Sequence, residues 1–318
     1  MARQRRILFL VFGVVVFVGI STIFLFRSNA FRLTLDDLRS KYATTGSQYV
    51  DIEDLSIHMR DEGSGSAVLL LHGSLGSLRT WDAMVNKLSD RFRFIRLDLP
   101  GYGLSSTAVP NNEMENVTLT SIIRELLARL NVNKLSIVGT SFGGSVGFWL
   151  ASEYPEIVDH LILINTPSEP VSIPRSERPL PVRLQMLLCD DLLEMRTVAF
   201  WRAYYSYLWG DPGRIEQSLI NKKYDMSRRV ESYLPRHLVP RNPNPQETLN
   251  ILGMVRAPTL IIWGMQDPVL PPSKLSRLEQ GLKNTSKVTV KLPTVGHYPM
   301  SEVPHQVTQV VENFLLGS

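Results

Sequence analysis

Gly139-Thr140-Ser141-Phe142-Gly143 is the stretch that most narrows what this chain can fold into. It follows Lys134-Leu135-Ser136-Ile137-Val138, which reads as a buried strand. It precedes Gly144-Ser145-Val146-Gly147-Phe148-Trp149-Leu150-Ala151, which reads as a helix with small residues in its first turn. A serine flanked in this way predicts a turn so tight that only small residues fit two positions to either side. Such a turn lifts the hydroxyl above the sheet. It also aims the amide of Phe142, at the helix start, toward any negative charge forming there. A glycine-rich connection that merely packs closely uses the same residues, so the rest of the chain decides between the two.

The flanking sequence alternates buried strands with amphipathic helices. Tyr49–Ile52 and Leu55–Met59 alternate as strands, and Ala67–Leu71 is a continuous apolar run suited to a strand covered on both faces. Ser77 to Leu88 reads as a helix with Trp81, Met84, Val85 and Leu88 on one side, and Phe92–Leu97 as the next strand. Leu119 to Leu130 is an amphipathic helix and His160–Asn165 another strand. This order predicts an α/β fold with a mostly parallel, doubly wound sheet. At Thr166 the composition changes. Residues 167–247 are rich in Pro, Arg and aromatics (Trp201, Tyr204, Tyr205, Tyr207, Trp209, Tyr224, Tyr233) and lack a buried strand, which predicts an inserted helical lid. The sheet resumes with Thr259–Trp263 and Lys287–Lys291, and Val303 to Leu316 closes the chain as a helix. The expected core is therefore 48–166 and 248–318.

Residues 1–30 are a different material. Met1-Ala2-Arg3-Gln4-Arg5-Arg6 is basic, and Ile7 to Phe26 then runs without a charge. About 20 apolar residues in a helix cross the ~30 Å hydrocarbon core of a bilayer. A cleaved signal has a shorter apolar region, of about 7–15 residues, so a retained single-span anchor is expected. Cleavage near Ser28-Asn29-Ala30, with secretion, is the competing reading. The basic residues before the span place the N-terminus in the cytoplasm and the catalytic domain on the other side, in a periplasm or lumen, although Arg27 and Arg32 oppose that orientation. Residues 31–47 read as a juxtamembrane linker with helical spacing at Leu33, Leu35 and Leu38.

Chemistry enters with the residues that could activate Ser141. A serine hydroxyl needs a base in hydrogen-bond reach, and the base needs an orienting carboxylate. Asp267 and His297 follow in the order expected after an elbow serine, each just beyond a late strand. Side chains at the carboxyl ends of parallel strands share one edge of the sheet. The backbone amides of Phe142 and of Ser74, in the loop after His72-Gly73, would form an oxyanion hole. His72 and Asp98 read as structural. His58, His160, His237 and His305 show no partner pattern and read as solvated or packed. The stripe Trp201, Tyr204, Tyr205, Leu208 reads as lid core that can also face a pocket. Arg175, Arg178, Arg183, Arg228 and Arg229 read as a solvated face, with contact to anionic headgroups as the sharper alternative. Asn116-Val117-Thr118 and Asn284-Thr285-Ser286 are glycosylation sequons.

From about Tyr49 onward the chain resembles an α/β-hydrolase with an inserted lid. The resemblance rests on LLLHGSLGS (69–77), LDLPGYGLS (97–105), VGTSFGG (138–144), IIWGMQDPVLP (261–271) and VGHYPMSEVP (295–304), all in the family's order. It implies Ser141 as nucleophile, Asp267 as acid, His297 as base and Ser74 and Phe142 as oxyanion donors, without a cofactor or metal. Epoxide hydrolases and haloalkane dehalogenases of this fold carry an aspartate at the elbow, whereas Ser141 implies acyl transfer. GTSxGG in a membrane-anchored chain is similar to monoacylglycerol-lipase-type and carboxylesterase-type members, which implies a small-molecule or lipid-like ester substrate. Carbon–carbon bond hydrolases share the serine framework, and a non-turnover receptor or scaffold of the same fold is a further alternative.

Composition removes other classes. The net charge is +4 with a pI near 9.2, yet no Lys/Arg block interleaves with aromatics, so no nucleic-acid partner is expected. Cys189 is the single cysteine, so the chain can form neither an internal disulfide nor a cysteine zinc site.

Overall fold

A computed structural model of the chain describes residues 2–74, 76–106, 117–230, 238 and 244–317. His237, Tyr233 and the sequon residue Asn116 lie outside the described residues. The strands are β1 (Gln48–Ile52), β2 (Leu55–Glu62), β3 (Ser66–Leu71), β4 (Phe92–Leu97), β5 (Leu135–Thr140), β6 (Val158–Ile164), β7 (Thr259–Gly264) and β8 (Lys287–Leu292). They form one eight-stranded sheet in the order β1-β2-β4-β3-β5-β6-β7-β8. β1 and β2 pair antiparallel, as do β2 and β4, and every later pairing is parallel.

Alternation within the apolar runs sends successive side chains to opposite faces. Val68 and Leu70 join Val138, Ile162, Leu260 and Ile262 against α3 (Asp82–Leu88) and α12 (Pro304–Leu316). Leu69 and Leu71 join Ile137, Leu161, Leu163 and Ile261 on the other face. That face is covered by α4 (Leu119–Arg129), α5 (Phe142–Glu153), α9 (Pro245–Leu252) and α10 (Pro272–Gly281). Burial on both faces explains why the central strands read as unbroken apolar runs. Ile137, at 0% exposure, has no room to relax, so truncation to alanine should cost about 2–5 kcal/mol.

The helix expected from Ser77 begins instead as a 3-10 turn over Leu78–Trp81, with α3 starting at Asp82. Asp98 is the cause, because its Oδ1 accepts the Leu78 amide at 2.7 Å and pins that turn to the end of β4.

Between β6 and β7 the chain inserts α6 (Leu180–Met186), a π turn (Leu187–Leu193), α7 (Val198–Leu208) and α8 (Gln217–Ser227). These helices hold their own cluster of Cys189, Phe200, Trp201, Tyr205, Leu208, Trp209 and Ile220. α9, at the edge of the expected lid, buries Leu252 in the sheet core instead.

α1 spans Ala2–Arg27, and no residue of its apolar stretch Ile7–Arg27 is buried, unlike a core helix. Beyond it, α2 (Leu35–Tyr42) starts with a reciprocal cap between Thr34 and Asp37. This segment is joined to the lid. Leu33 N–H donates to the Arg228 carbonyl at 2.9 Å, and Val230 N–H donates back to Leu33 at 3.0 Å. Lys41 Nζ and Tyr42 Oη each donate to Asp225 Oδ2 at 2.5 Å.

The solvated-arginine expectation holds for Arg175 and Arg183 and fails at α8. Arg229 is only 3% exposed, and Arg228 reaches the Phe31 carbonyl and the Asp225 carboxylate. Both are covered because the segment after α1 folds across them, a contact between residues about 200 positions apart that no local pattern encodes.

Candidate active site

Strand order reverses at β3, whose two neighbours are β4 and β5. The carboxyl ends of β3 and β5 therefore diverge into a crevice, where Ser74 and Ser141 sit. Ser141 has φ 49° and ψ −123°, a strained backbone for a residue with a side chain. Its neighbours make the turn feasible. A Cβ on Gly139 would lie 2.6 Å from the Gly143 carbonyl, and one on Gly143 would lie 2.3 Å from the Leu71 carbonyl. The two small positions are thus a steric requirement of β5 meeting α5 beside β3.

Ser141 Oγ lies 3.1 Å from His297 Nε2, and His297 Nδ1 lies 2.6 Å from Asp267 Oδ2. With Nδ1–H donating to the carboxylate, Nε2 is left to accept the serine proton. Asp267 is 2% exposed and its lone pairs are all directed. Oδ1 accepts the amides of Val269 at 2.7 Å and Leu270 at 2.9 Å, and Oδ2 also accepts Asn165 Nδ2 at 2.6 Å. An ionised carboxylate satisfied in this way cannot turn from the imidazole.

Ser74, Ser141, Phe142 and His297 line a cavity of about 420 Å³, while Asp267 lies behind His297. Pro167, Val171, Tyr204, Leu208, Val269 and Leu270 give the cavity much of its apolar wall. Trp201 and Tyr205 of the aromatic stripe are buried in the lid, and Tyr204 and Leu208 face the cavity, so the stripe serves both purposes. Phe142 is the first residue of α5, where backbone N–H groups have no intrahelical acceptor. The Ser74 loop approaches so closely that a Cβ on Gly73 would touch Ser141 Cβ at 3.0 Å.

His72 and Asp98 sit where structural residues belong. His72 is fully buried; its Nδ1 bonds the Gly73 carbonyl at 2.8 Å and its Nε2 accepts the Leu99 amide at 2.9 Å. Burial holds its pKa below the usual imidazole value, which suits a neutral brace for the Ser74 loop. His58 departs from the expectation of having no partner. It is 3% exposed, with Nδ1 at 2.7 Å from Asp98 Oδ2 and Nε2 at 2.8 Å from Ser47 Oγ. Burial alone would raise the Asp98 carboxyl, but the His58 hydrogen bond, the two nearby imidazoles and the Leu104 amide outweigh it and hold the group below its ordinary value. His160 is half-buried against Ser136 and Phe314, and His305 is exposed. Asn284, of the second sequon, donates its side-chain amide to the Gly253 carbonyl at 2.6 Å.

Three contributors escape the sequence reading. Asn165, at the end of β6 with φ 40°, links Asp267 to the Gly264 amide, which its Oδ1 accepts at 2.9 Å. A polar residue closing an apolar strand was the available signal. Glu302 is 4% exposed and accepts the amides of Gly210 at 2.9 Å and Gly296 at 3.2 Å, so it ties the His297 loop to the lid. Tyr298 packs edge-on against His297 with ring centres 5.0 Å apart, and its hydroxyl lies 3.4 Å from the Ser74 carbonyl.

The family model for the alpha/beta hydrolase fold matches residues 66–304. The chain is 26% identical to a 2-hydroxy-6-oxo-6-phenylhexa-2,4-dienoate hydrolase of Comamonas testosteroni, over 77% of this chain and 83% of that protein. It is 27% identical to a pimeloyl-[acyl-carrier protein] methyl ester esterase of Nitrosomonas europaea, over 79% and 96%. Among solved structures, a bacterial membrane phospholipase A superposes with a TM-score of 0.62 at 23% identity, covering 99% of this chain and 98% of that one. The strand order, the strained serine turn and the matched span agree: this chain belongs to the alpha/beta hydrolase fold family.

Proposed function

We propose that this protein is a membrane-anchored serine esterase that cleaves carboxylic esters with medium or long acyl chains. The observation that carries the reading is the continuous line from Ser141 Oγ through His297 to Asp267, opening into a largely apolar cavity. In this mechanism His297 Nε2 takes the Ser141 proton as Oγ bonds to the ester carbonyl carbon. The carbonyl oxygen becomes an oxyanion held by the Ser74 and Phe142 amides. The tetrahedral adduct collapses, and His297 returns the proton to the departing alkoxide, leaving an acyl-Ser141. Water, activated by the same imidazole, then releases the carboxylic acid. Asp267 fixes the tautomer and stabilises the imidazolium.

The wall at Ser141 favours esters over the acidic diketones that a carbon–carbon hydrolase would cleave. Among the described residues that line it, Glu169 is the one with a formal charge, and none is lysine or arginine. A carboxylate-bearing substrate would find no counter-charge there. Each acyl methylene buried against such a wall contributes up to about 0.8 kcal/mol. The membrane phospholipase A, which aligns along the whole chain including α1, supports a lipid-like ester and a retained anchor. In this reading the N-terminus is cytoplasmic and the domain from Gln48 onward, with the insertion at 167–247 as its lid, lies across the membrane.

The test is fluorophosphonate labelling of the full-length protein in detergent, followed by kcat/KM for p-nitrophenyl esters from acetate to laurate. The expected result is labelling at Ser141 and a rise toward medium or long chains. No labelling would leave the receptor or scaffold reading. Labelling with a steep decline from acetate onward would reject the lipid-like pocket.

A further inference from the structure

A second cavity, of about 510 Å³, shares no lining residue with the one at Ser141. Three parts of the chain wall it. Arg32 comes from the segment just after the span. Asp190, Glu194, Arg196, Lys223 and Arg229 come from the lid. Gly76 and the Gly101–Gly103 turn come from loops beside the Ser74 segment. Among the described residues, its lining carries four basic side chains and two acidic ones. Both carboxylates are already ion-paired. Asp190 Oδ1 accepts Arg196 Nε at 2.9 Å, and the Glu194 carboxylate pairs with Arg27, the last residue of α1. Arg32 reaches the Glu194 backbone carbonyl at 2.6 Å rather than an acid.

The cations crowd together under partial desolvation. Lys223 Nζ and the Arg196 guanidinium both lie over the Trp201 ring, 5.0 and 5.5 Å from its centre. Arg229, 3% exposed, points Nη1 at the Gly103 carbonyl 3.4 Å away. Burial first, and the Arg196 charge second, push the Lys223 ammonium down to about 7. Asp190, Glu194, Arg196 and Arg229 share its cavity, and the His72 imidazole lies within electrostatic reach. An anion with several acceptor oxygens, placed among these side chains, gains charge-assisted hydrogen bonds from each of them.

We propose that this cavity binds the phosphate group of a ligand, with Arg32, Arg196, Lys223 and Arg229 as its donors. Guanidinium forks match phosphate oxygens in pairs, and an ammonium supplies a point charge beside them. Two sources share this chemistry: the headgroup of a bilayer phospholipid, close at hand because the end of α1 touches the rim, and a soluble phosphate ester. The site is separate from ester cleavage and stands whether or not Ser141 turns over.

The experiment uses full-length Ser141→Ala protein, so that no hydrolysis intervenes. An amine-acylating reagent is applied from pH 6 to 9, and its rate at Lys223 is followed by peptide mass spectrometry. One arm adds inorganic phosphate or glycerol phosphate in detergent, with acetate at equal ionic strength as control. The other compares nanodiscs of phosphatidylglycerol with nanodiscs of an uncharged glycolipid. Bound phosphate is expected to raise the Lys223 midpoint by at least one unit, which slows acylation at pH 7 about fivefold. Protection in phosphatidylglycerol discs alone identifies a lipid headgroup, and protection by soluble phosphate alone identifies a soluble ester. Arg32→Gln and Arg196→Gln should each weaken the protecting ligand at least tenfold. The proposal is overturned if neither source protects Lys223, if acetate protects equally, or if both variants leave the protection unchanged.

Discussion

The relay at Ser141 and the charged cavity at the end of α1 are assembled in opposite ways. Ser141, Asp267 and His297 each sit one to five residues beyond a strand of the same sheet, and backbone groups of the core supply most of their partners. Arg32, Arg196, Lys223 and Arg229 come from the segment after α1 and three parts of the lid, and they meet only because those segments fold over one another. The difference separates two duties. Groups fixed by the sheet hold a geometry that chemistry requires to within fractions of an ångström, whereas groups carried by the lid can adjust to what is bound. Changes at the first should therefore strike kcat, and changes at the second should alter affinity, pH response or substrate preference.

The largest effect is expected at the relay itself. Ser141→Ala or His297→Ala should lower kcat by about 10⁴–10⁶-fold, and the double variant should be no worse than either, since the two act as one unit. Asp267→Asn should fall within the same range or somewhat below it. Stopped assays with p-nitrophenyl butyrate, alongside thermal melts to show folding, provide the measurement. Near-full activity in Ser141→Ala would remove the catalytic reading altogether.

Next comes Asn165, which belongs to the sheet although it is not one of the reacting groups. Asn165→Ala removes a 2.6 Å hydrogen bond to the Asp267 carboxylate and the acceptor for Gly264 N–H. Hydrogen bonds to charged groups are worth about 1.5–3 kcal/mol, so kcat should fall about 10–100-fold with KM little changed. A change confined to KM would place Asn165 outside the relay's support.

This division also explains what could be read from the sequence. The strands, their order of appearance and the positions of Ser141, Asp267 and His297 are written in local patterns: apolar runs, small residues where backbones collide, and polar residues just past strand ends. Asp98 was legible as structural, but its partner His58 was not, because the two meet across antiparallel β2 and β4, about 40 residues apart. Arg228 and Arg229 misled for the same reason. A basic pair just past the end of α8 looks solvated until the chain from Phe31 to Leu33 is laid across it. Glu302 and Tyr298 lay within a recognisable segment, yet only the fold shows that one ties the lid to the His297 loop and the other approaches the Ser74 carbonyl.

A pH experiment probes the lid side of the comparison. The Lys223 ammonium has its ordinary value of 10.5 in the unfolded chain and about 7 in the folded one. Between those values the unfolded chain binds more protons, so unfolding free energy should rise with pH across that window and level off above it. Lys223→Met should flatten this slope without moving the relay's contribution to kcat. Chemical denaturation at intervals from pH 7 to 10.5 measures it; parallel curves for both proteins would show that Lys223 titrates normally.

The smallest effect is expected where the segment after α1 meets the lid, and it tests whether the two regions are coupled. Leu33 N–H donates to the Arg228 carbonyl, and Val230 N–H donates back, so the chain after α1 adds one parallel bridge to the lid. Leu33→Pro removes the first of these bonds. Arg32 already has an extended backbone at φ −76° and ψ 154°, the conformation that a following proline requires of its predecessor. A single such bond contributes about 0.5–1.5 kcal/mol, which sets a shift of about two- to tenfold in any equilibrium between held and released lid. Deleting residues 1–30 keeps this bridge and the Lys41 and Tyr42 bonds to Asp225, and should leave short-ester kcat/KM within about threefold of the full chain. Leu33→Pro in that truncated protein should instead change the ratio of laurate to butyrate kcat/KM by about two- to tenfold, because the lid contributes Tyr204 and Leu208 to the wall at Ser141. An unchanged ratio would mean that the lid keeps its place without the bridge at Leu33, and that the two regions work independently.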